Sequence, residues 1–484
     1  MSTPGRSVAL AALLQRLPGA TLAGDARTRI DAIAADSRDV RPGSLFVALR
    51  GEHADGHDFI TQAIDAGAAA VVVERELAAS PTAAVRVEST RRALSAMAAA
   101  FYGDPSQKLA VVGVTGTNGK TTTTRMLAAI ANAAGMPCGV IGTIGAEFAE
   151  RSWKLAHTTP FPQELHALLA EMADAGARAI AMEVSSHALA LERVHDVRFA
   201  CGVLTNVTRD HLDFHATQEA YAQAKRRLFA LARTAALNAD DAFGARWSSE
   251  LRGSVPLLTY SLRGEADLVA RDVEVRADGS SFMLDGVQIS LALPARFNVA
   301  NALAAIAAAR LLGIDDVTSA AALRTLVRVP GRMERVGAGD VEVVVDYAHT
   351  PDALEQALCA LREIARGRLA VVFGCGGDRD RGKRPEMGAI AARYADRIYV
   401  TSDNPRSEDP AAIARDIAAG VGEHPYVLEL DRRAAIERAV LEAQPRDTVL
   451  VAGKGHEAYQ IAGDRVVPFD DVAVAREALA KRAP

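Results

Sequence analysis

The sequence predicts an α/β protein of three domains. These are a smaller mixed α/β N-terminal domain over 1–103, a central P-loop-type parallel-sheet domain over 104–332, and a C-terminal Rossmann-like doubly wound domain over 333–484. Three observations carry this reading. The chain has 484 residues, and a single core rarely grows beyond about 250–300 residues. Short apolar runs alternate with helical spacings, the pattern of a parallel sheet covered by helices. The alternation is interrupted twice by turn-forming residues, at "FYGDPSQ" (101–107) and around "VPGRMERVGAGD" (329–340).

In the first domain the N-terminal apolar run is cut by Gln15 and Arg16, so it reads as an amphipathic helix rather than a signal peptide. "DSRDVRPGSLFVAL" reads as a turn then a strand, and "HDFITQAIDAGAAAVVVE" as a helix then a buried strand. In the central domain an apolar strand runs to about Val114, followed by a Gly-rich loop and a helix with apolar residues at helical spacing. "ARAIAMEVSS" and "FACGVLTNV" are further strands, and "ARFNVANALAAIAAARLLG" is a long helix ending at Gly313. In the third domain, apolar strands end in the polar loops "DYAHTPD", "GCGGDRDRGKRP", "TSDNPR" and "GKGHE". Ligands of open parallel sheets bind at such carboxyl ends.

Composition narrows the function. Hydrophobic content is 49%, charged content 24%, and net charge -5 with both signs interspersed. Neither a nucleic-acid patch nor a polybasic membrane anchor is indicated, and no apolar stretch is long enough to span a bilayer. The four cysteines, Cys138, Cys201, Cys359 and Cys375, show no metal-site or paired spacing. A reduced, cytoplasmic protein is expected.

"TGTNGKTT" (115–122) follows a strand and opens a helix, the context a phosphate loop needs. Gly116 and Gly119 let the backbone approach an anion, amide groups and the helix N-terminus face it, Lys120 adds a mobile charge, and the Thr121 hydroxyl suits Mg²⁺. The run departs from G-x-x-x-x-G-K-[ST], because Val114 stands where that pattern has Gly and Gly113 comes one residue early.

"GVTGTNGKTT", with "MEVSSHAL", "TNVTRDHLDFH", "NVANALAA", "PGRMER" and "DYAHTPDAL" in this order, resembles the Mur ligase family over nearly the whole chain. The resemblance implies an ATP-dependent amide ligase of peptidoglycan precursor synthesis. Its ATP contacts are expected at Gly116, Thr117, Asn118, Gly119, Lys120, Thr121, Thr122, Asn298, Asn301, Arg332 and Asp346. Mg²⁺ is expected at Thr121, Glu183, His211 and Lys225, the last as a carbamate, because an ammonium would repel the ion. Read without the family, Lys225 is a solvated helix lysine. Lys120, His211 and Lys225 are the expected catalytic residues. The UDP-linked substrate is expected at Ser37, Glu52, His53, Ala54, Thr158, Thr159, Ser185 and Arg193, with Leu191 where some relatives place Gln.

The resemblance extends to the "DNPR" and "GKGHE" loops, and it implies that the incoming amine is meso-diaminopimelate and that the acceptor is UDP-N-acetylmuramoyl-L-alanyl-D-glutamate. Arg379, Asp403, Asn404, Pro405, Arg406, Gly453 and Glu457 are the expected amino-acid contacts. A guanidinium offers paired donors matched to a carboxylate, so Arg406 is the expected selector for the distal carboxylate that lysine lacks. Pro405 stiffens the turn. Two other readings remain open: a related ligase using lysine or glutamate, and a P-loop switch or binding module. The protein is expected to act as a monomer.

Overall fold

The structure is a computed structural model that describes residues 6–51, 54–77, 82–337 and 339–482. The chain forms two compact units. Met1–Thr115, Gly135–Val203 and Ala224–Ala235 make the first; Gly116–Ala134, Leu204–Gln223 and Ala236–Pro484 make the second.

In the first unit a five-stranded sheet runs in the order Thr21–Ala23, Ala83–Arg86, Ala70–Val73, Ser44–Val47, Ala32–Ala34. Its neighbours are parallel except at Thr21–Ala23. Successive side chains of a strand point to opposite faces, and both faces here are covered. Leu45, Val47, Ala70 and Val72 join Leu10, Leu94 and Phe101 in one core, whereas Phe46, Val71 and Val73 join Ile60 and Ala63 in another. That is why "SLFV" and "AVVV" are apolar without alternation.

Further strands of this unit run in the order Arg151–Trp153, Gly145–Phe148, Cys138–Gly142, Ala179–Glu183, Ala110–Thr115, Phe199–Leu204. Ala179–Glu183 is parallel to both of its neighbours. Gly145–Phe148 folds back antiparallel on Cys138–Gly142, and Arg151–Trp153 on Gly145–Phe148. This hairpin edge has no strong apolar signature, and it turns after Phe148 at Ala149, whose φ is +51°.

In the second unit the helix Lys120–Ala133 packs on the buried, Ala-rich helix Arg296–Leu311. Before that helix stands a three-stranded antiparallel sheet, Arg271–Arg276, Gly279–Leu284 and Val287–Leu291, which the sequence reading did not separate from its surroundings. A six-stranded sheet follows in the order Glu334–Val336, Glu342–Asp346, Thr448–Ala452, Leu369–Phe373, Arg397–Val400, Tyr426–Leu428. Only Glu334–Val336 is antiparallel. One face packs against helices Pro351–Ile364, Lys383–Tyr394 and Pro410–Val421, the other against Arg432–Glu442 and Asp471–Arg482. This is the doubly wound arrangement expected. Thr448–Ala452 lies between the first two parallel strands in sequence, creating a switch point. The register sets Asp346 beside Ala452 and Phe373 beside Val400. The loops after these strands therefore leave the sheet along one edge.

Candidate active site

The phosphate loop belongs to the second unit and is shaped by its glycines. Gly116 has φ +151° and Gly119 φ +86°. A Cβ on Gly116 would lie 1.8 Å from Thr205 Oγ1, and one on Gly119 2.2 Å from Asn301 Oδ1. Residues 205–208 brace the loop. The Thr117 N–H donates to the Asn206 carbonyl (2.8 Å), the Asn118 N–H to Asn206 Oδ1 (3.0 Å), and the Thr205 hydroxyl to the Asn118 carbonyl (2.6 Å). Lys120 curls over the loop, its Nζ donating to the carbonyls of Gly116 (3.0 Å) and Thr117 (2.8 Å). At a helix N-terminus an ammonium held this way needs only a small swing to meet phosphate oxygens.

Thr121 and Thr122 are buried in the first helical turn. The Thr121 hydroxyl accepts from Arg332 Nη2 at 3.1 Å, and the Arg332 guanidinium lies 4.3 Å over the Tyr347 ring. Asn298 and Asn301 do not sit on the helix surface but are buried, with Asn301 Nδ2 donating to Asn298 Oδ1 at 3.2 Å. Asp346 accepts the N–H groups of Met333 (2.7 Å) and Ala348 (2.8 Å). Burial raises its carboxyl above the ordinary value, against the opposing pull of Arg332 and these N–H groups.

His211 adopts φ +53°, and its Nε2 lies 3.3 Å from Asp210 Oδ2. Burial pushes Asp210 up, but His211, His349, Lys383 and Lys120 outweigh it and hold the carboxyl below its ordinary value.

In the first unit, Glu183, Thr158, Thr159, Ser185 and Arg193 come together. Glu183 is 1% exposed and accepts from the Thr143 N–H (3.0 Å) and hydroxyl (2.9 Å). The Thr143 and Thr158 hydroxyls are 3.1 Å apart. Thr159 Oγ1 donates to the Glu183 carbonyl at 2.9 Å and accepts the Ser185 N–H at 3.0 Å. The Ser185 hydroxyl caps the following helix by accepting the Ala188 N–H at 3.1 Å. Arg193 Nη1 donates to the Thr159 carbonyl at 3.1 Å, with its guanidinium 4.1 Å over the Phe161 ring. Burial pulls its pKa down to about 10. Lys225 is 1% exposed, so it is not the solvated lysine that its helix alone suggests. Ser37 and Ala54 lie beyond the carboxyl ends of Ala32–Ala34 and Ser44–Val47, with the Ser37 hydroxyl donating to Gln62 Oε1 at 3.1 Å. Glu52 and His53 lie outside the described residues.

The remaining expected contacts gather at the edge of the six-stranded sheet. Asp403, Asn404 and Pro405 are buried. Arg406 adopts φ +51°, and its Nη1 donates to the Gly377 carbonyl at 2.7 Å. Its direction is set by this bond as well as by Pro405. Two glycines let the loops meet: a Cβ on Gly377 would stand 1.9 Å from the Pro405 carbonyl oxygen, and one on Gly453 2.5 Å from Asp403 Oδ2. Asn404 Nδ2 donates to Glu457 Oε2 at 2.9 Å. Arg379 is exposed nearby, its Nη1 on the Asp378 carbonyl at 2.8 Å.

Other polar groups holding these loops were not singled out from sequence. Asp352 accepts from Asn118 Nδ2 (2.7 Å) and from the Thr208 hydroxyl (3.3 Å), tying the phosphate loop to helix Pro351–Ile364. Its position beside Pro351 in "HTPDAL" reads only as a helix start. Lys454, inside "GKGHE", is fully buried. Arg432 and Asp471 form a fully buried ion pair, Nη2 to Oδ2 at 2.7 Å. Arg432 also donates to the carbonyls of Ser402 (3.3 Å) and Ala452 (3.0 Å), at the roots of two of the loops. No local signal marks that pair, because its members are 39 residues apart.

Three family models match the chain: "Mur ligase family, catalytic domain" over 29–102, "Mur ligase middle domain" over 114–309, and "Mur ligase, glutamate ligase domain" over 331–455. Among similar proteins are UDP-N-acetylmuramoyl-L-alanyl-D-glutamate–2,6-diaminopimelate ligases of two bacteria. The one from Geobacillus thermodenitrificans is 45% identical, covering 98% of this chain and 99% of that one. The one from Synechococcus elongatus is 48% identical, covering 94% of each. A solved structure of a ligase with the same description superimposes with TM-score 0.70 at 35% identity, covering 99% of this chain and 100% of that one. A ligase from Thermotoga maritima solved with ADP, MurF, shares the fold at TM-score 0.63 and 21% identity, covering 93% of this chain and 98% of that one.

Proposed function

The chain belongs to the Mur ligase family, and we propose that its residues divide between them the work of an ATP-dependent ligase. The reaction joins 2,6-diaminopimelate to UDP-N-acetylmuramoyl-L-alanyl-D-glutamate in peptidoglycan precursor synthesis. The observation that carries it is the identity of 45–48%, over nearly the whole chain, with ligases of that description. The three-domain reading, 1–103, 104–332 and 333–484, assigns the UDP-linked substrate, ATP and the amino acid to successive domains.

The D-glutamate side-chain carboxylate attacks the γ-phosphorus of ATP, ADP leaves, and an acyl phosphate forms. An amine of meso-diaminopimelate then attacks the acyl carbon, and the tetrahedral intermediate loses phosphate to leave the amide. Positioning and charge stabilisation supply most of the rate in phosphoryl transfer. The loop amides of residues 116–122 and Lys120 receive the phosphates. Asn298 and Asn301 hold the loop from behind, and Arg332 and Asp346 meet the nucleotide. Thr158, Thr159, Ser185 and Arg193 orient the UDP-linked substrate, with Ser37, Ala54 and the loop at Glu52 and His53 receiving its nucleotide.

Each unit offers its own donors for Mg²⁺: Glu183 and Lys225 in the first, the Thr121 hydroxyl and His211 in the second. Among the described residues no group of three or more His, Cys, Asp or Glu is placed to hold a metal. That suits Mg²⁺, which keeps waters and shares phosphate oxygens rather than sitting in an all-protein cage. A buried Lys225 fits the role as a carbamate, its Nζ having added CO₂ and lost a proton, because an anionic oxygen ligates where an ammonium repels. When bound, Mg²⁺ neutralises charge on the transferring phosphoryl group.

Arg406, Arg379, Asp403, Asn404, Gly453 and Glu457 receive the amino acid, with Arg406 on its distal carboxylate. The protein works as a monomer in the cytoplasm; among the described residues no helix is long and apolar enough to cross a membrane. ADP release measured with each substrate omitted in turn tests the reading. It is expected only when dipeptide, ATP and diaminopimelate are all present. Turnover of ATP without the amine would favour a P-loop switch.

A further inference from the structure

Lys454 has no exposed surface, and its Nζ donates to Asn404 Oδ1 and to Glu457 Oε2, each at 3.1 Å. Its charge also lies 5.4 Å from the centre of the Tyr459 ring. A lysine is almost never fully buried unless paired, so its place beside two proposed amino-acid contacts asks for a reason. The hydrogen bonds supply one. Asn404 Oδ1 takes both Lys454 Nζ and the Ile461 N–H (3.0 Å), which fixes the amide so that Nδ2 points to Glu457 Oε2 (2.9 Å). Glu457 Oε2 thus carries two donors, while among the described residues Oε1 has only the long contact of the Tyr347 hydroxyl at 3.4 Å. One carboxylate oxygen is committed to two donors, and the other keeps one long contact on a side chain that is 17% exposed.

We propose that Lys454 is a positioning residue of the amino-acid site: it locks Asn404 and Glu457 so that Glu457 Oε1 is presented to an ammonium group of the incoming diamino acid. This rests on the reading that the sheet edge carrying Asn404 and Glu457 binds that substrate. A simple charge argument predicts the opposite, since a cation on Glu457 weakens its attraction for a second cation. Preorganisation of the acceptor oxygen has the larger effect, because the carboxylate then needs no reordering when the amine arrives.

The test is steady-state ADP release by the full chain, with KM measured separately for ATP, the UDP-linked dipeptide and diaminopimelate. Lys454→Met is expected to raise the diaminopimelate KM about tenfold and to leave the other two within about twofold. Glu457→Gln is the control for the site itself. If it leaves the diaminopimelate KM unchanged, the amino-acid reading of this edge fails. If it raises that KM while Lys454→Met leaves it unchanged or lowers it, the site stands and the positioning role is overturned. A loss spread equally over all three KM values also overturns it and marks Lys454 as structural. The double variant Lys454→Met with Glu457→Gln removes both members of the ion pair and guards against misfolding by a lone buried charge. In it the Lys454→Met effect is expected to shrink, because Lys454 acts through Glu457; full additivity would contradict the proposal.

Discussion

The phosphate loop and the amino-acid edge of the second unit are built by opposite means. The first is one short run, residues 116–122, whose shape comes from backbone at two positive-φ glycines and from a brace at 205–208. The second is assembled from loops far apart in sequence, and side chains stitch them together; Lys454 and Asn404 are 50 residues apart. A backbone cradle accepts any phosphate chain of the right shape. A side-chain edge is set by where particular charges stand. On the proposed function, the first region carries the common chemistry and the second the choice of substrate.

Substitutions test that contrast. Lys120→Ala should lower kcat about 10³-fold, the scale of losing a positioned charge on the transferring group. Circular dichroism and the melting temperature should stay those of the parent. An active, folded Lys120→Ala protein would contradict the role of the loop. Arg406→Ala should cost on the order of 10²-fold in kcat/KM for diaminopimelate, the scale of a lost charge-assisted hydrogen bond, with the KM for ATP unchanged. If the KM for ATP rises equally, the two regions are not separable. Gly116→Ala should destabilise the fold by about 2 kcal/mol in denaturant titration, combining left-handed strain with a displaced Thr205 hydroxyl. Gly376→Ala should be milder. Its Cβ would lie 2.9 Å from Arg406 Nη1, the end of a flexible side chain, so a few-fold rise in the diaminopimelate KM is expected with stability intact.

The same contrast governs what was legible in the sequence. The phosphate loop was readable because its strand, glycines, lysine and helix are contiguous, and the structure places them accordingly. The parallel strands were readable from their uninterrupted apolar runs. The hairpin Gly145–Phe148 with Arg151–Trp153 was not, because an edge strand need not be apolar. Lys225 misled when read as an isolated helix residue, since one side chain carries no record of what packs over it. Arg432, Asp471 and Asp352 hold loops through partners distant in sequence, and long-range pairing leaves no local pattern. Glu457 and Arg406 were found as short motifs, but the bonds that aim them, from Lys454 and to the Gly377 carbonyl, appear only in the fold.

On the proposed function, the edge of the six-stranded sheet chooses the amine through Arg406. The most direct measurement is ADP release with ATP and the UDP-linked dipeptide, comparing meso-diaminopimelate with L-lysine for the parent and for Arg406→Ala. The parent should release ADP with diaminopimelate and not with lysine, because lysine leaves the guanidinium without its carboxylate, and Arg406→Ala should lose most of that preference. An Arg406→Ala protein that still prefers diaminopimelate as strongly as the parent would show that the selecting contact lies elsewhere.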